Sequence, residues 1–536
     1  MADSNSNKTK PCLVQTAQGF TVSYKEKFLY SKYNPSKSIL QIIENLNIQP
    51  QTIVLCASPV LSYGIKELSQ KLPEDCIMLG CELEAQLSDF IKENSHLNDF
   101  DFSKLKNFSF LTKDEALELG PILTKQNAIL QSGFTLPAPG TFRRIIRVDF
   151  SAGALFNSGL YDKIMESAAN AIMTFWANRV TLVKFGRKYC TNFFKNLSVL
   201  GQTTPIQNYF GKYDKPVLVF GAGESAVQGI EQIKKTSRND YYVLCADTAL
   251  QPLIANDIFP EGVFIEEAQN VITKCFIGTQ NSNIHIFAGL SAVHSITRLF
   301  KPEQISFFTT EFTQANFINR FDADGILPPK NEPFGSVGIT AWYYANLFRK
   351  DSSIPIYTYG LDFAYSAGRT HTKGTMADNA RFMSSNRVKN DANYTAAFCE
   401  PAFKINDTMY TTPILARYEQ IMSGLPRLSQ NDVTSYKKDC RVKPDNDTGV
   451  DTGELPRFAC NDILQEEAAS LEKLKSLLTG QTKLPADQLE KQITELVQDR
   501  EYLFLHFPDG QKFAYTQSFL NRIRVEIDYY LKILKR

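Results

Sequence analysis

The sequence predicts a multidomain α/β protein built on parallel sheets. Two observations carry that prediction. Short apolar runs end on Gly or Asp and feed helical stretches, as parallel strands do. The chain also has 536 residues, too many for one core, because single cores stop growing near roughly 250 to 300 residues. Two or three domains are expected. With 43% hydrophobic and 21% charged residues, neither a fibre nor a largely disordered chain fits.

In chain order, Lys37 to Leu46 has helical spacing and Thr52 to Ala57 reads as a buried strand. Tyr63 to Leu72 follows as a helix and Cys76 to Glu82 as a strand ending on an acid. This βαβ unit places an N-terminal α/β domain in residues 1–150. Arg143, Arg144 and Arg147 at its end read as a solvated charged face, with bidentate pairing to a sugar carboxylate as the alternative. From Gly153 the apolar positions Ile164, Ala168, Ile172 and Phe175 suggest helix, so residues 151–212 are expected to form a helical connector.

A clear α/β pattern begins after Lys215-Pro216, with strands at Val217 to Phe220, Tyr242 to Cys245, Ile284 to Phe287 and Ile356 to Tyr359. It defines a central domain over residues 213–430. The polar, turn-rich stretch Asp445 to Glu454 reads as a linker. Ile463 to Leu478, Ala486 to Phe504 and Ser518 to Leu534 read as helices, completing a linker and helical C-terminal domain over 431–536.

Fifty-eight basic against fifty-seven acidic residues leave no summed field for nucleic acid or anionic lipid, so small molecules or a protein surface are the expected partners. The ten cysteines form no C-x-x-C pair, and those within apolar strands, such as Cys56 and Cys245, read as reduced buried thiols. The polar start Met1 to Asn7 and the lack of any ~20-residue apolar run predict a cytoplasmic protein without a membrane span.

Chemistry concentrates in the central domain. Gly221-Ala222-Gly223-Glu224-Ser225-Ala226 joins a strand to a helix, where backbone without Cβ and free amides can receive a phosphate. Glu224 is an oddity there, since a carboxylate at a phosphate rim repels the ligand unless it points away. Asp247-Thr248 ends the next strand, where a ribose-binding acid belongs, and taken alone suggests NAD. Glu266-Glu267 ends a further strand. Phe334-Gly335-Ser336-Val337, Gly360-Leu361-Asp362-Phe363-Ala364-Tyr365 and His371-Thr372-Lys373-Gly374-Thr375 follow in order. Of five histidines, His371 is the candidate base: His285 and His294 lie in apolar stretches, and His96 and His506 lie outside the motif region.

This ordered set resembles the motility-associated-factor (Maf) flagellin glycosyltransferases and the related 6-hydroxymethylpterin diphosphokinase MptE-like proteins, over roughly residues 213 to 425. Shared positions are Gly221-Ala222-Gly223, Ser225, Asp247-Thr248-Ala249-Leu250, Gly335-Ser336-Val337, Gly360, Asp362, Ala364-Tyr365, His371 and Gly374-Thr375. Glu224, Ala226, Glu261 and Glu267 depart from the family's residues.

The resemblance implies a central Rossmann-like, sialyltransferase-type domain between an N-terminal Rossmann-like domain and the helical C-terminal one. It implies transfer of a nonulosonic acid, pseudaminic or legionaminic in type, from a CMP-activated donor to Ser/Thr hydroxyls of flagellin, as flagellar assembly and motility require. The catalytic set is then His371, Asp247 and Asp362. Gly221, Ala222, Gly223, Ser225, Thr248, Glu267, Gly335, Ser336, Tyr365 and Thr375 bind the donor. Mg²⁺ is compatible with paired carboxylates but not required. The alternatives are an ATP-dependent pterin diphosphokinase-like enzyme, a non-catalytic flagellin-binding protein and an NAD-dependent oxidoreductase.

Overall fold

The computed structural model describes residues 10–94, 101–125, 128–313, 315–323, 325–425, 457–482 and 484–535. The N-terminal stretch Met1 to Asn7 and the linker expected at Asp445 to Glu454 lie outside them. The chain divides into two compact units, Met1–Thr181 and Leu182–Arg536.

The first unit holds a parallel four-stranded sheet, in the spatial order Phe108–Leu111, Ile77–Cys81, Thr52–Ala57, Arg144–Asp149. Thr52–Ala57 is buried at every position, as a central parallel strand covered on both faces must be. A small antiparallel sheet, Cys12–Thr16, Gly19–Tyr24 and Lys27–Phe28, precedes it. At the strand ends Glu82 accepts from the Ser58 hydroxyl at 2.5 Å and the Glu84 amide at 2.9 Å. The acid that ends the second strand is therefore engaged by its own unit. Arg147 pairs with Asp149 at 2.6 Å and Asp162 at 2.9 Å, and the Arg143 guanidinium lies 3.2 Å from the Trp176 ring centroid.

The boundaries differ from those expected. The segment read as a connector is mostly one helix of 40 residues, Ser158–Leu197, and the division between units falls inside it. Its apolar face serves two cores: Tyr161, Ile164, Ala168 and Ile172 belong to the first unit's, and Cys190, Phe193, Phe194 and Leu197 to the second's. Spacings of three and four residues keep each group on one face.

The second unit is built on a seven-stranded sheet, parallel throughout. Its order is Lys330–Asn331, Ile305–Thr310, His285–Gly289, Gly262–Ile265, Tyr242–Ala246, Val217–Phe220, Ile356–Tyr359. Six strands are laid down successively to one side, and the last returns to the other side of the first. Side chains alternate between the faces. Val217, Val219, Leu244, Phe264 and Phe287 pack with the helix Val337–Phe348. Leu218, Phe220, Val243, Cys245, Val263 and Ile265 share a cluster with the end of the long helix and with the C-terminal helices Arg457–Leu478, Ala486–Gln498 and Gln517–Leu534. Those helices are thus one face of the central core rather than a separate domain, because a parallel sheet needs cover on both faces. Cys56, Cys76, Cys81, Cys190, Cys245 and Cys275 are buried free thiols. No helix among the described residues is long and apolar enough to cross a membrane.

The C-terminal helices are fixed by a buried ionic cluster. Glu467, 1% exposed, accepts from Arg320 at 2.7 and 2.8 Å, Arg500 at 3.1 Å and the Tyr502 hydroxyl at 2.6 Å. Burial pushes its carboxyl up, but the Arg320 and Arg500 guanidiniums and the Tyr502 hydroxyl more than offset that, leaving it below the usual carboxylate range. Glu467→Ala strands two arginines and is expected to cost about 3–5 kcal/mol in urea unfolding. An unchanged midpoint would remove the cluster from the account of stability.

Candidate functional site

The motif residues gather at the carboxyl ends of the second unit's strands. Val217–Phe220 and Ile356–Tyr359 flank the topological switch point, where open α/β sheets receive ligands. Here the turns after these two strands touch each other. A Cβ on Gly221 would overlap the Gly360 carbonyl, and one on Gly360, at φ +70°, would overlap the Gly221 carbonyl. The Gly221 amide donates to Tyr359 O at 2.7 Å and the Gly223 amide to Gly360 O at 2.9 Å.

Gly221, Ala222, Gly223 and Ser225, expected to cradle a phosphate, meet a carboxylate of the protein itself. Asp362 takes the anion's place: its Oδ2 accepts from the Ser225 amide at 3.0 Å, and its Oδ1 accepts from the Ser225 hydroxyl. The next three amides, Ala226 to Gln228, bind the carbonyls of Gly223, Glu224 and Ser225. The missing Cβ atoms make room for protein, and the N-terminal partial charge of helix Ala226–Lys235 meets a built-in carboxylate. Both carboxylate oxygens of Asp362 are thus engaged by the Ser225 turn. Glu224 points away from the turn and accepts from the Ser366 amide at 3.1 Å and hydroxyl at 2.5 Å, which resolves its oddity.

The next loop docks on this platform. The Thr372 amide donates to Ala222 O at 2.8 Å, placing His371 beside the glycine turn. A Cβ on Gly374 would lie 3.9 Å from Pro252, in the helix that follows Asp247. Thr375 is fully buried and caps helix Met376–Ser384 through the Asp378 amide at 3.3 Å. Nδ1 of His371 pairs with the Thr370 hydroxyl at 3.0 Å. Burial, then Arg381, holds the His371 imidazole below its ordinary value, with Asp378 opposing, so the ring is neutral at pH 7. Tyr365 donates to Ala396 O at 2.5 Å and belongs to a small antiparallel sheet with Met409–Thr411 and Phe403–Lys404.

Asp247 is the residue with unspent capacity. Its Oδ1 accepts from the Thr248 amide at 2.6 Å and hydroxyl at 2.8 Å. Its Oδ2 is buried with no partner among the described residues. A buried carboxylate oxygen without a donor is costly and marks a site completed by a ligand or a proton. Burial pushes Asp247 up to about 7; Thr248 opposes, while Glu267 and Glu266 reinforce the rise. Glu266 is satisfied by the Thr310 and Thr340 hydroxyls at 2.5 and 2.7 Å, and Glu267 accepts from the Gln269 amide at 2.8 Å. Among the described residues no three His, Cys, Asp or Glu side chains converge as metal ligands.

Gly335, at φ +78°, packs against the Tyr418 ring. Ser336 precedes helix Val337–Phe348, and its side chain makes no capping bond. The Ile339 and Thr340 amides bind Ser336 O at 3.0 and 3.1 Å. Thr340 in that first turn reaches Glu266, so this helix start, unlike the one after Ser225, stands over the acidic group with its serine hydroxyl uncommitted.

Sequence reasoning missed the basic side of this unit. Lys184, Arg187, Lys188 and Lys195 lie on one face of the long helix, at steps of three, one and seven. With Arg298 and His294, they line a cleft of about 480 Å³. The same 3.6-residue period that revealed the helix's apolar face would have exposed this polar one.

The fold and site thus define an α/β protein with a parallel sheet covered on both faces and a buried carboxyl group at its strand ends. Residues 190–368 match the family model of 6-hydroxymethylpterin diphosphokinase MptE-like proteins, a span that stops short of His371. A protein of Treponema pallidum (strain Nichols), described as an uncharacterized protein, is 29% identical over 567 residues, covering 98% of this chain and 95% of its own. A solved structure, a Maf glycosyltransferase from Magnetospirillum magneticum AMB-1, has the same fold, with a TM-score of 0.52 at 12% identity over 98% of this chain and 91% of that one. The relation to Maf and MptE-like proteins expected from the motifs is supported.

Two expectations follow. Gly221→Ala forces apart the turns at the switch point and should lower stability by about 1–3 kcal/mol or more, read from chemical denaturation. For Asp247, the folded value near 7 lies above the unfolded value of about 4, so the folded state binds more protons in that window. Stability should fall as pH rises from about 4 to about 7. Asp247→Asn should flatten that slope in melting temperatures taken across the window; equal slopes would contradict the shift.

Proposed function

We propose that the protein is a glycosyltransferase that moves a nonulosonic acid from a CMP-activated donor to Ser/Thr hydroxyls of flagellin in the cytoplasm. The observation that carries the reading is Asp247, a buried carboxylate with one unpartnered oxygen at the strand ends of an MptE-like domain. The likeness in fold to a Maf glycosyltransferase supports it.

In this reading the departing phosphate meets Ser336 and the N-terminus of helix Val337–Phe348, where free amides and the helix dipole favour an anion. That assignment replaces the turn at Gly221. Asp247 offers its free oxygen to a ribose or acceptor hydroxyl. The neutral His371 imidazole accepts the acceptor's proton as the hydroxyl attacks the anomeric carbon and the bond to the phosphate breaks. Asp362 holds the Ser225 turn on which the His371 loop rests. Mg²⁺ would need donor phosphate oxygens to complete its shell, since it takes one or two carboxylates plus phosphate in such sites.

The match over residues 190–368 also favours a second reading, ATP-dependent diphosphate transfer to a pterin alcohol. Purified protein, CMP-nonulosonate and flagellin should release CMP and add the sugar's mass to flagellin; ATP consumption with a pterin alcohol and no CMP release would favour the rival. His371→Ala should lower kcat by about 10²–10⁴ while leaving donor binding in place. The acid limb of the wild-type profile should lie below pH 6.5, given the lowered imidazole. A limb near pH 7 abolished by Asp247→Asn would make Asp247 the base instead.

A further inference from the structure

The cleft on the long helix is separate from the strand-end site and none of the motifs accounts for it. Its walls are the helix face carrying Lys184, Lys188 and Lys195, and the loops that follow strands Gly262–Ile265 and His285–Gly289, with Arg298 in the second. No Asp or Glu lines it. Arg187 is the cation with a partner, Glu526 at 2.9 Å, and its guanidinium stacks 3.9 Å from the Tyr529 ring centroid. Among the described residues no ion pair joins Lys184, Lys188, Lys195 or Arg298 to a carboxylate. A chain of net charge +1 thus concentrates four unneutralised cations around one cavity.

The cavity is also rigid. Asn192 donates to Ala268 O and Ser291 O, both at 3.1 Å, tying the helix to each loop. The Asn196 side-chain oxygen accepts from His294 Nδ1 at 2.9 Å. Thr191 meets the Tyr529 hydroxyl at 3.0 Å. Like charges held together on a fixed frame repel one another, and a bound anion relieves that cost. A volume of about 480 Å³ lies in the range of small-molecule sites, roughly 300–1,000 Å³, and Tyr529 supplies an apolar face beside the charges.

We propose that this cleft binds a phosphorylated small molecule carrying at least two negative charges. The lysines neutralise the phosphates, and the Tyr529 ring packs against the organic part. The proposal is independent of the sugar-transfer reading, since neither Asp247 nor His371 lines the cleft. It adds a second anion site on the far end of the loop Glu267 to Asn270.

The test is calorimetric titration of the full-length chain with inorganic pyrophosphate and, in a second arm, with CMP. Pyrophosphate should bind, with affinity falling as salt rises. The double variant Lys188→Glu/Lys195→Glu should weaken it by roughly tenfold or more, while Lys188→Arg/Lys195→Arg retains it. Asp247→Asn should leave it unchanged. CMP binding that is also lost in the glutamate variant places a nucleotide in the cleft; CMP binding that survives there limits the cleft to other phosphorylated ligands. Lys188 is exposed, so the single variant Lys188→Glu keeps the fold if the double does not, and should weaken binding in part. No pyrophosphate binding by the wild type, or equal affinity in the folded glutamate variants, overturns the proposal.

Discussion

The second unit depends on the contact between Gly221 and Gly360. Two adjacent parallel strands end in turns that approach until no Cβ fits between them, and Asp362 seals the seam by binding Ser225 through its amide and hydroxyl. The carboxylate at the start of helix Ala226–Lys235 supplies the charge that a ligand phosphate supplies in nucleotide-binding folds. With that position filled from within, the turn becomes a rigid platform. The Thr372 amide anchors to it, and the position of His371 follows.

Around this platform charge is sorted into two regions. Asp247, Glu266 and Glu267 gather at the ends of two neighbouring strands. Glu266 is fully bonded by Thr310 and Thr340, whereas Asp247 keeps an oxygen without a donor. The cations collect on the long helix and the facing loops. The stretch from Glu267 to Asn270 belongs to both regions, and the Val293 amide donates to Glu267 O at 2.9 Å. An acceptor-poor basic cleft and a donor-poor acidic site thus share one short segment of backbone. The buried Glu467 carboxylate is bonded by two arginines and a tyrosine, whereas the open oxygen of Asp247 marks a place where something else completes the structure.

The matched span, residues 190–368, includes the glycine turn, Asp247, Ser336 and Asp362. The chain beyond it adds the His371 loop, helix Met376–Ser384 and the strands Phe403–Lys404 and Met409–Thr411 that form a small sheet with Tyr365–Ser366. The C-terminal helices complete the other face of the sheet. Their buried residues join the central cluster because the strands beneath are apolar on both faces.

The sequence by itself determined the parallel α/β class, the strands read at Val217 to Phe220, Tyr242 to Cys245, Ile284 to Phe287 and Ile356 to Tyr359, and the motif residues that meet at the strand ends. Short continuous apolar runs and turns of Gly and Asp are local signals, and they survive folding intact. Strand Ile305–Thr310 escaped because its polar Ser306 and Thr309 are buried by partners distant in sequence, Thr204 and Pro328. Tertiary structure alone decided what each motif residue touches. The glycine turn packs on a turn 139 residues away, and Gly360 must be in place before the missing Cβ of Gly221 has a packing role. Asp362 is spent on Ser225, and Asp247 is left with an open oxygen. Those differences arise from partners brought together by the sheet, and no spacing along the chain encodes them.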